Sequence, residues 1–413
     1  MRVIIVSYYF PPLGLAGTAR PVALANFFAA RGDEVSVVTV KPIAYPAYDK
    51  SMETEIDKRV SVIRVGSTDP ARLSRFLPLG LIKKMLGRST QQSAAATLFP
   101  DSKVGFAAPA ARAVKSLAGA GEPSLVITSS PPVSAHLVGI EAASQDNVRW
   151  IADWRDVWSS LPLADGDAAK MQRAEALQKQ IVNAAMLVTA TSPKTAETFA
   201  SKYGTTAKTM FLPNGFSEDD FREPVEMLPQ TIGLYGTLNH LVGFDKIAEW
   251  LGEYSRRNAD TEFRACHTGY LDVPDIEKIL KSSSLEHRFS SSGYLPHRES
   301  VAAMRRNAVN VIGLSGEFDT SFVVPSKLWE MLRAEPSLIA VLPKGNAARA
   351  IIEERKFPGV IVADTAEQFA GALAEFLGNS EKSRGLRSSE SVREYQWQVQ
   401  VTRLAQRIDE MMK

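Results

Sequence analysis

A chain of 413 residues that is 45% hydrophobic and 23% charged has a globular composition and exceeds the length of one ordinary core, which excludes general disorder and predicts two domains. Its 48 Lys plus Arg nearly balance 46 Asp plus Glu, so bulk charge gives no case for a nucleic-acid partner. The single cysteine, Cys266, excludes a disulfide framework and a cysteine-based zinc site, and suits a reducing compartment.

Residues 2–10, RVIIVSYYF, are apolar and β-branched and predict a buried parallel strand. Pro11 and Pro12 break it, and residues 18–32 place apolar side chains at helical spacing up to Gly32. A second buried strand follows at 34–40. Strand, helix and strand in this order make a unit with parallel strands and a right-handed crossover. The pattern continues with strands at 60–66, 124–130, 148–154 and 186–192, and 208–215 closes the half with a strand and a turn. Helices are expected at 132–144, 167–185 and 193–204, the last with Pro193 at its first position and Gly204 at its end. Residues 217–230, SEDDFREPVEMLPQ, are polar with two prolines and read as an inter-domain linker. A second α/β series gives strands at 231–236, 261–269, 289–295, 308–315, 337–343 and 359–364, with helices between them. Residues 391–413 read as one long helix.

Three segments carry candidate chemistry. In the first loop, Gly14 and Gly17 lie between a strand and a helix, where a bare backbone can approach a ligand. The spacing is not that of a dinucleotide fingerprint, and an ordinary loop is the plain alternative. The segment WIADWRDVW puts Asp153, Arg155, Asp156 and Trp158 at the carboxyl end of a buried strand, the end that meets ligands in doubly wound sheets. An Asp–Arg pair that ties down a loop is the structural alternative there. His136 lies on the preceding helix, where a lone His is more often a packed or surface residue. In VPSKLWEMLRAEPSLIAV, Pro325 and Ser326 start a helix. Ser326 and the loop amides can donate to a diphosphate, Lys327 adds a positive charge, and Glu330 can accept both hydroxyls of a ribose. An exposed Lys327–Glu330 pair is the alternative.

Other features point away from competing chemistries. Asp165, Gly166 and Asp167 resemble an Asp-x-Asp metal motif, but Asp167 is better placed as a helix N-cap. No HExxH, GxSxG or P-loop pattern occurs. Residues 72–88 mix Arg72, Arg75, Lys83, Lys84 and Arg88 with Leu, Ile, Phe and Met. Such a segment can lie at a membrane interface, although Pro78 and Gly80 interrupt it and a core-packed surface helix also fits. The N-terminal apolar run is too short for a signal-peptide core, and no run of 18 apolar residues occurs. The expected location is cytoplasmic, with a peripheral membrane contact.

Taken together in chain order, YYFPPLGLAGTAR, RGDEVSVVT, FPD, SSPPVSAHLVG, ADWRDVW, FLPNGF, YGTLN, GYLPHRES and VPSKLWEML resemble family-four glycosyltransferases of the GT-B fold, in the bacterial branch that builds extracellular polysaccharide and lipopolysaccharide. The resemblance covers nearly the whole chain. It implies an α/β, GT-B architecture of two Rossmann-like domains facing each other across a cleft. Residues 1–216 would form the acceptor domain and 217–389 the nucleotide-sugar domain, with a C-terminal helix at 390–413 packing back on the first. Gly236 would lie near the diphosphate, with Ser326 and Lys327 approaching it. Tyr294, Leu295 and His297 of the GYLPHR loop would flank the base, and Glu330 would hold the ribose. Gly14, Gly17, Arg20 and His136 would meet the acceptor, and Asp153, Arg155 and Asp156 would supply the catalytic groups. The implied partners are a nucleotide diphosphate sugar and a glycan or lipid-linked acceptor. No metal and no resident cofactor are implied, and retention of anomeric configuration is.

The chain also departs from the family pattern. The usual pair of glutamates is separated by seven residues, and Phe322 stands eight before Glu330. RAEPS replaces a small-residue turn after the helix, and SKVGF follows FPD where a tryptophan is usual. Two further readings therefore stay open: an epimerase or phosphorylase on the same fold, and a degenerate subunit that binds donor without turnover.

Overall fold

The computed structural model describes residues 1–15, 17–69, 72, 98–119, 121–156, 168–239, 241–273 and 275–413. Nearly all of the basic segment 72–88, together with Trp158 and Asp165, Gly166 and Asp167, lies outside the described residues. The described strands form two parallel sheets, one of seven strands and one of six. One compact unit comprises Met1–Pro213 with Val401–Lys413, and the other Asn214–Gln400.

The first sheet contains β1 (Arg2–Ser7), β2 (Glu34–Val40), β3 (Ser61–Val65), β4 (Ser124–Ser130), β5 (Val148–Trp154), β6 (Leu187–Ala190) and β7 (Thr209–Phe211). Their order is β3-β2-β1-β4-β5-β6-β7. Helices cover both faces, so the strands are apolar on both sides and alternate between two cores. Ile4 and Val6 of β1 pack with Val114, Val138, Ile181 and Phe199 from helices on one face. Val3 and Ile5 pack on the other with Val22, Phe28, Leu404 and Ile408. Gly139 has no room for a side chain, because a Cβ there would lie 1.9 Å from the Trp150 ring.

The second sheet contains β8 (Thr231–Tyr235), β9 (Arg264–Thr268), β10 (Phe289–Ser291), β11 (Val309–Gly313), β12 (Ser337–Val341) and β13 (Val360–Val362). Their order is β10-β9-β8-β11-β12-β13. Each sheet thus winds outward from its first strand in one direction and then restarts on that strand's other side. The reversal falls between β1 and β4 in one unit and between β8 and β11 in the other. The loops at the carboxyl ends of those strand pairs are where such sheets hold ligands.

Several predicted elements differ; the strand expected at 289–295, for example, spans only Phe289–Ser291. The first strand ends at Ser7, where the Ser7 hydroxyl donates to the Tyr9 carbonyl at 2.8 Å and Leu13 N–H donates to Phe10 O at 3.1 Å, turning the chain. The C-terminal stretch is a 3₁₀ turn, Glu390–Tyr395, followed by the helix Trp397–Met411. Gln396 is extended between them because it pairs in parallel with Phe216. The segment 217–230 is not a free linker. Its first residues form the 3₁₀ turn Glu218–Phe221, and Phe221 is buried against the Phe216 ring and beneath the Arg305 and Arg333 guanidinium groups.

Candidate active site

At the β1–β4 end of the first unit, a buried polar network lies beneath the loops. Asp153 is 1% exposed and accepts from Arg20 Nη2 at 2.6 Å, Ser129 Oγ at 2.7 Å and Thr189 Oγ1 at 2.5 Å. Burial opposes its charge, but Arg20 and the two hydroxyls outweigh burial and hold its pKa at about 2. Arg20 also donates to the carbonyls of Leu212 and Pro213 at 3.0 and 2.9 Å. His136 is fully buried between Thr128 Oγ1 at 2.7 Å and Ser130 Oγ at 2.9 Å, with its ring 4.5 Å from that of Trp154. Burial pushes its pKa down to about 3, so the imidazole is neutral at ordinary pH. Arg20, His136 and Asp153, read from sequence as acceptor-binding and catalytic groups, therefore brace the loops from below in this structure. Their polar atoms are committed to protein partners.

Arg155 lies higher. It donates to the carbonyls of Gly17 at 2.6 Å, Ser130 at 2.8 Å and Pro131 at 2.9 Å, tying the loops after β1, β4 and β5 together. Asp156 is exposed beside it. Gly14 is buried and donates its N–H to Ala47 O at 2.9 Å, whereas Gly17 is partly exposed. Asp101, quoted from sequence only as part of FPD, caps the helix Ser134–Ala142 by accepting from Ser134 N–H at 2.9 Å and its hydroxyl at 2.7 Å.

In the second unit the carboxyl ends of β8, β9 and β10 carry Gly236, Gly269 and Gly293, all with positive φ. A Cβ on Gly269 would lie 2.0 Å from Gly236 O, so only glycine lets these turns stack. Tyr294 stacks on Tyr270 with ring centroids 5.8 Å apart, and Leu295 follows, partly buried. The helix His297–Arg306 then begins. Across from it, the loop after β11 is pinned by Asn346, whose side chain donates to Thr320 O at 2.6 Å and Val323 O at 3.0 Å. That loop leads through Ser326, whose side chain caps no helix amide, into the helix Lys327–Arg333.

Glu330 is 8% exposed, which corrects the exposed-pair alternative. Lys327 Nζ lies 3.3 Å from its Oε2, and His297 Nε2 lies 3.5 Å from its Oε1. The same nitrogen approaches Asp220 Oδ2 at 3.2 Å, and Arg298 Nε lies 3.6 Å from Asp220 Oδ1. Burial disfavours the imidazolium, yet Glu330 and Asp220 overcome it and raise the His297 pKa. At the other end of the seven-residue helix, Arg333 grips Glu218 at 2.9 Å. So short a helix contributes little dipole, and the positive charge here is that of side chains. Asp220 and Glu218 went unassigned in sequence because their segment has the composition of a linker.

Residues 17–215 match the family model of the glycosyl transferase 4-like domain. No curated protein sequence matches the chain. In structure, it is similar to Anabaena HepE in complex with UDP-glucose, with a TM-score of 0.65 and 12% identity over 99% of this chain and 100% of that one. It is similar to Staphylococcus aureus TarM, in a mutant bound to fondaparinux, alpha-GlcNAc-glycerol and UDP, with a TM-score of 0.65 and 9% identity over 98% and 99%. WaaG, a glycosyltransferase involved in lipopolysaccharide biosynthesis, gives a TM-score of 0.60 and 14% identity over 98% and 99%. Residues 17–215 thus match a glycosyl transferase 4-like domain, and the two Rossmann-like units of doubly wound order have the GT-B fold of these structures.

Proposed function

We propose that this chain is a glycosyltransferase that moves a sugar from a UDP-linked donor to a hydroxyl of a glycan or lipid-linked acceptor, with retention of configuration, in cell-surface polysaccharide synthesis. The observation that carries the reading is Glu330. A carboxylate this buried is costly unless it is paired, and its partners Lys327 and His297 stand at the carboxyl edge of the sheet reversal where a nucleotide is expected. The complexes of HepE with UDP-glucose and of TarM with UDP support a UDP donor, and the role of WaaG supports a cell-surface product.

In this reading Glu330 accepts from the ribose hydroxyls, and Tyr294 with Leu295 flanks the base. Gly236 and Ser326 approach the diphosphate. Lys327, His297 and Arg298 offset the charge that develops as the bond from sugar C1 to the phosphate oxygen breaks. The acceptor oxygen bonds C1 on the same face, and its proton leaves with the diphosphate. On the acceptor side, Arg155, Asp156 and Gly17 are the groups within reach, while Arg20, His136, Asp153 and the buried Gly14 hold them in place. No metal is assigned a role. In this reading the protein docks on the cytoplasmic membrane surface through residues 72–88, whose basic and apolar residues support the contact. Sedimentation with anionic vesicles tests this, and an association unchanged by Lys83→Glu with Lys84→Glu removes that segment as the contact.

Glu330→Gln tests the donor site. Losing a charge-assisted hydrogen bond costs about 1.5–3 kcal/mol, or roughly ten- to a hundredfold in affinity. Calorimetry should show UDP-glucose binding weakened by about that factor in a folded variant. Unchanged affinity would remove Glu330 from the donor site.

A further inference from the structure

Two carboxylates from distant parts of the second unit converge on one imidazole nitrogen. Asp220 is carried by the turn Glu218–Phe221 and Glu330 by the helix Lys327–Arg333. Their side chains are 6% and 10% exposed, and His297 Nε2 stands 3.2 Å from one and 3.5 Å from the other. Like charges held this close out of water repel, and one positive charge between them removes that cost. Among the described residues, the cations facing the two acids are Lys327, 3.3 Å from the outer oxygen of Glu330, and Arg298, 3.6 Å from the outer oxygen of Asp220. Neither cation sits between the two acids. Only the imidazole does, and it is the one group there whose charge changes near neutral pH.

We infer that Asp220 and His297 are positioning residues for Glu330, and that donor affinity depends on a proton held by His297 between the two carboxylates. With the proton in place, His297 draws the Oε1 side of Glu330 toward Asp220 and fixes the carboxylate for the ribose. The imidazolium also adds positive charge beside a donor diphosphate. Without the proton, Glu330 faces Asp220 unscreened and turns toward Lys327. Asp220 acts on Glu330 through His297, and its other oxygen faces Arg298. The inference rests on the donor-site reading given above.

The direction of the pH effect follows from the charge. The imidazolium is favoured here, so its proton is retained above the ordinary histidine range. Affinity is therefore full at low pH and falls as pH rises through the elevated His297 value. UDP-glucose is the suitable probe, because its diphosphate carries no proton that titrates between pH 5.5 and 9. Calorimetry across that range should show the parent protein losing about three- to tenfold in affinity from low to high pH. His297→Gln should be flat with pH and as weak as the parent at high pH. Asp220→Asn should shift the fall to lower pH, because one of the two charges that retain the proton is gone.

Glu330→Gln separates the two levels of the argument. If it leaves UDP-glucose affinity unchanged, or if UDP-glucose does not bind the parent at all, the donor-site reading fails and the inference fails with it. If it weakens binding while His297→Gln keeps the parent's pH profile, the donor site stands and the His297 role is overturned. A measurement without mutation guards against a variant that does not fold. The His297 ring proton resonance, followed by NMR, should titrate at higher pH when UDP-glucose is bound, because linkage is reciprocal. A titration that does not move on binding overturns the inference.

Discussion

Asp153 is buried and paired with Arg20. It lies at the end of β5, as the catalytic reading requires, but Arg20, Ser129 and Thr189 occupy its oxygens. Removing one partner of a buried pair strands the other, at a cost of about 3–5 kcal/mol. Arg20→Ala should therefore lower the stability of the first unit by about that amount, read as a shift in a denaturant midpoint. A loss near zero would mean that water replaces the guanidinium. The pH dependence has a definite sign. The folded Asp153 value, about 2, is depressed below the unfolded value near 3.9. Its contribution, on the order of 2 kcal/mol, is present above pH 4 and is lost as pH falls through 2. In Asp153→Asn that acid-dependent component should disappear, with stability near neutral pH reduced.

The turns that build the second site depend on glycine at one position in particular. Gly269 has φ +142°, and a Cβ there would lie 2.0 Å from the carbonyl oxygen of Gly236. Gly269→Ala forces backbone apart from backbone and should destabilise the second unit by about 1–3 kcal/mol. Gly371 provides the contrast. It lies on the exposed face of the helix Ala366–Gly378, with no atom within 4 Å of the place a Cβ would take, and Gly371→Ala should stabilise by about 0.5–1 kcal/mol. Thermal melting of the two variants should move in opposite directions, and a shared direction would contradict the steric account.

The same elements mark the boundary of what the sequence reveals. The strands β4 and β5 are legible to the residue, because each is a buried run that can pack only as a parallel strand between helices. Lys327 and Glu330 are legible as neighbours because helical spacing brings residues three apart onto one face. Asp220 is not, because its partner His297 is 77 positions away and a run of acids before a proline has the composition of a linker. His136 and Asp153 have the residue types of a reacting site, and their burial and pairing are what the sequence does not show. The break at Gln396 is hidden for a similar reason. Residues 391–413 have an unbroken helical pattern, and what stops the helix is a backbone pairing with Phe216.

The assignment of the last thirteen residues to the first compact unit can be tested at the scale of the whole chain. Val401, Leu404 and Ile408 are at most 1% exposed and share a core with Val3, Ile5, Val37 and Ile127, on the face of the sheet opposite the helix Ser134–Ala142. Burying one such side chain is worth about 1.5–3 kcal/mol, so three contribute about 5–9 kcal/mol. A domain is commonly stable by only about 5–15 kcal/mol. A fragment of residues 1–213 should therefore be unfolded or loosely packed, although it contains every strand of its sheet. Adding back residues 401–413 through a flexible linker should restore cooperative melting. The join is geometrically simple, because the outgoing and returning chains run side by side where Phe216 pairs with Gln396. A flexible linker of about ten Gly and Ser residues has a root-mean-square reach of roughly 15–20 Å. The rescue should be lost again when Ile408→Asp is introduced into the added segment, since a charge in that core has no partner. If residues 1–213 alone melt as cooperatively and at the same temperature as the rescued fragment, the C-terminal helix is a surface attachment and not part of this core.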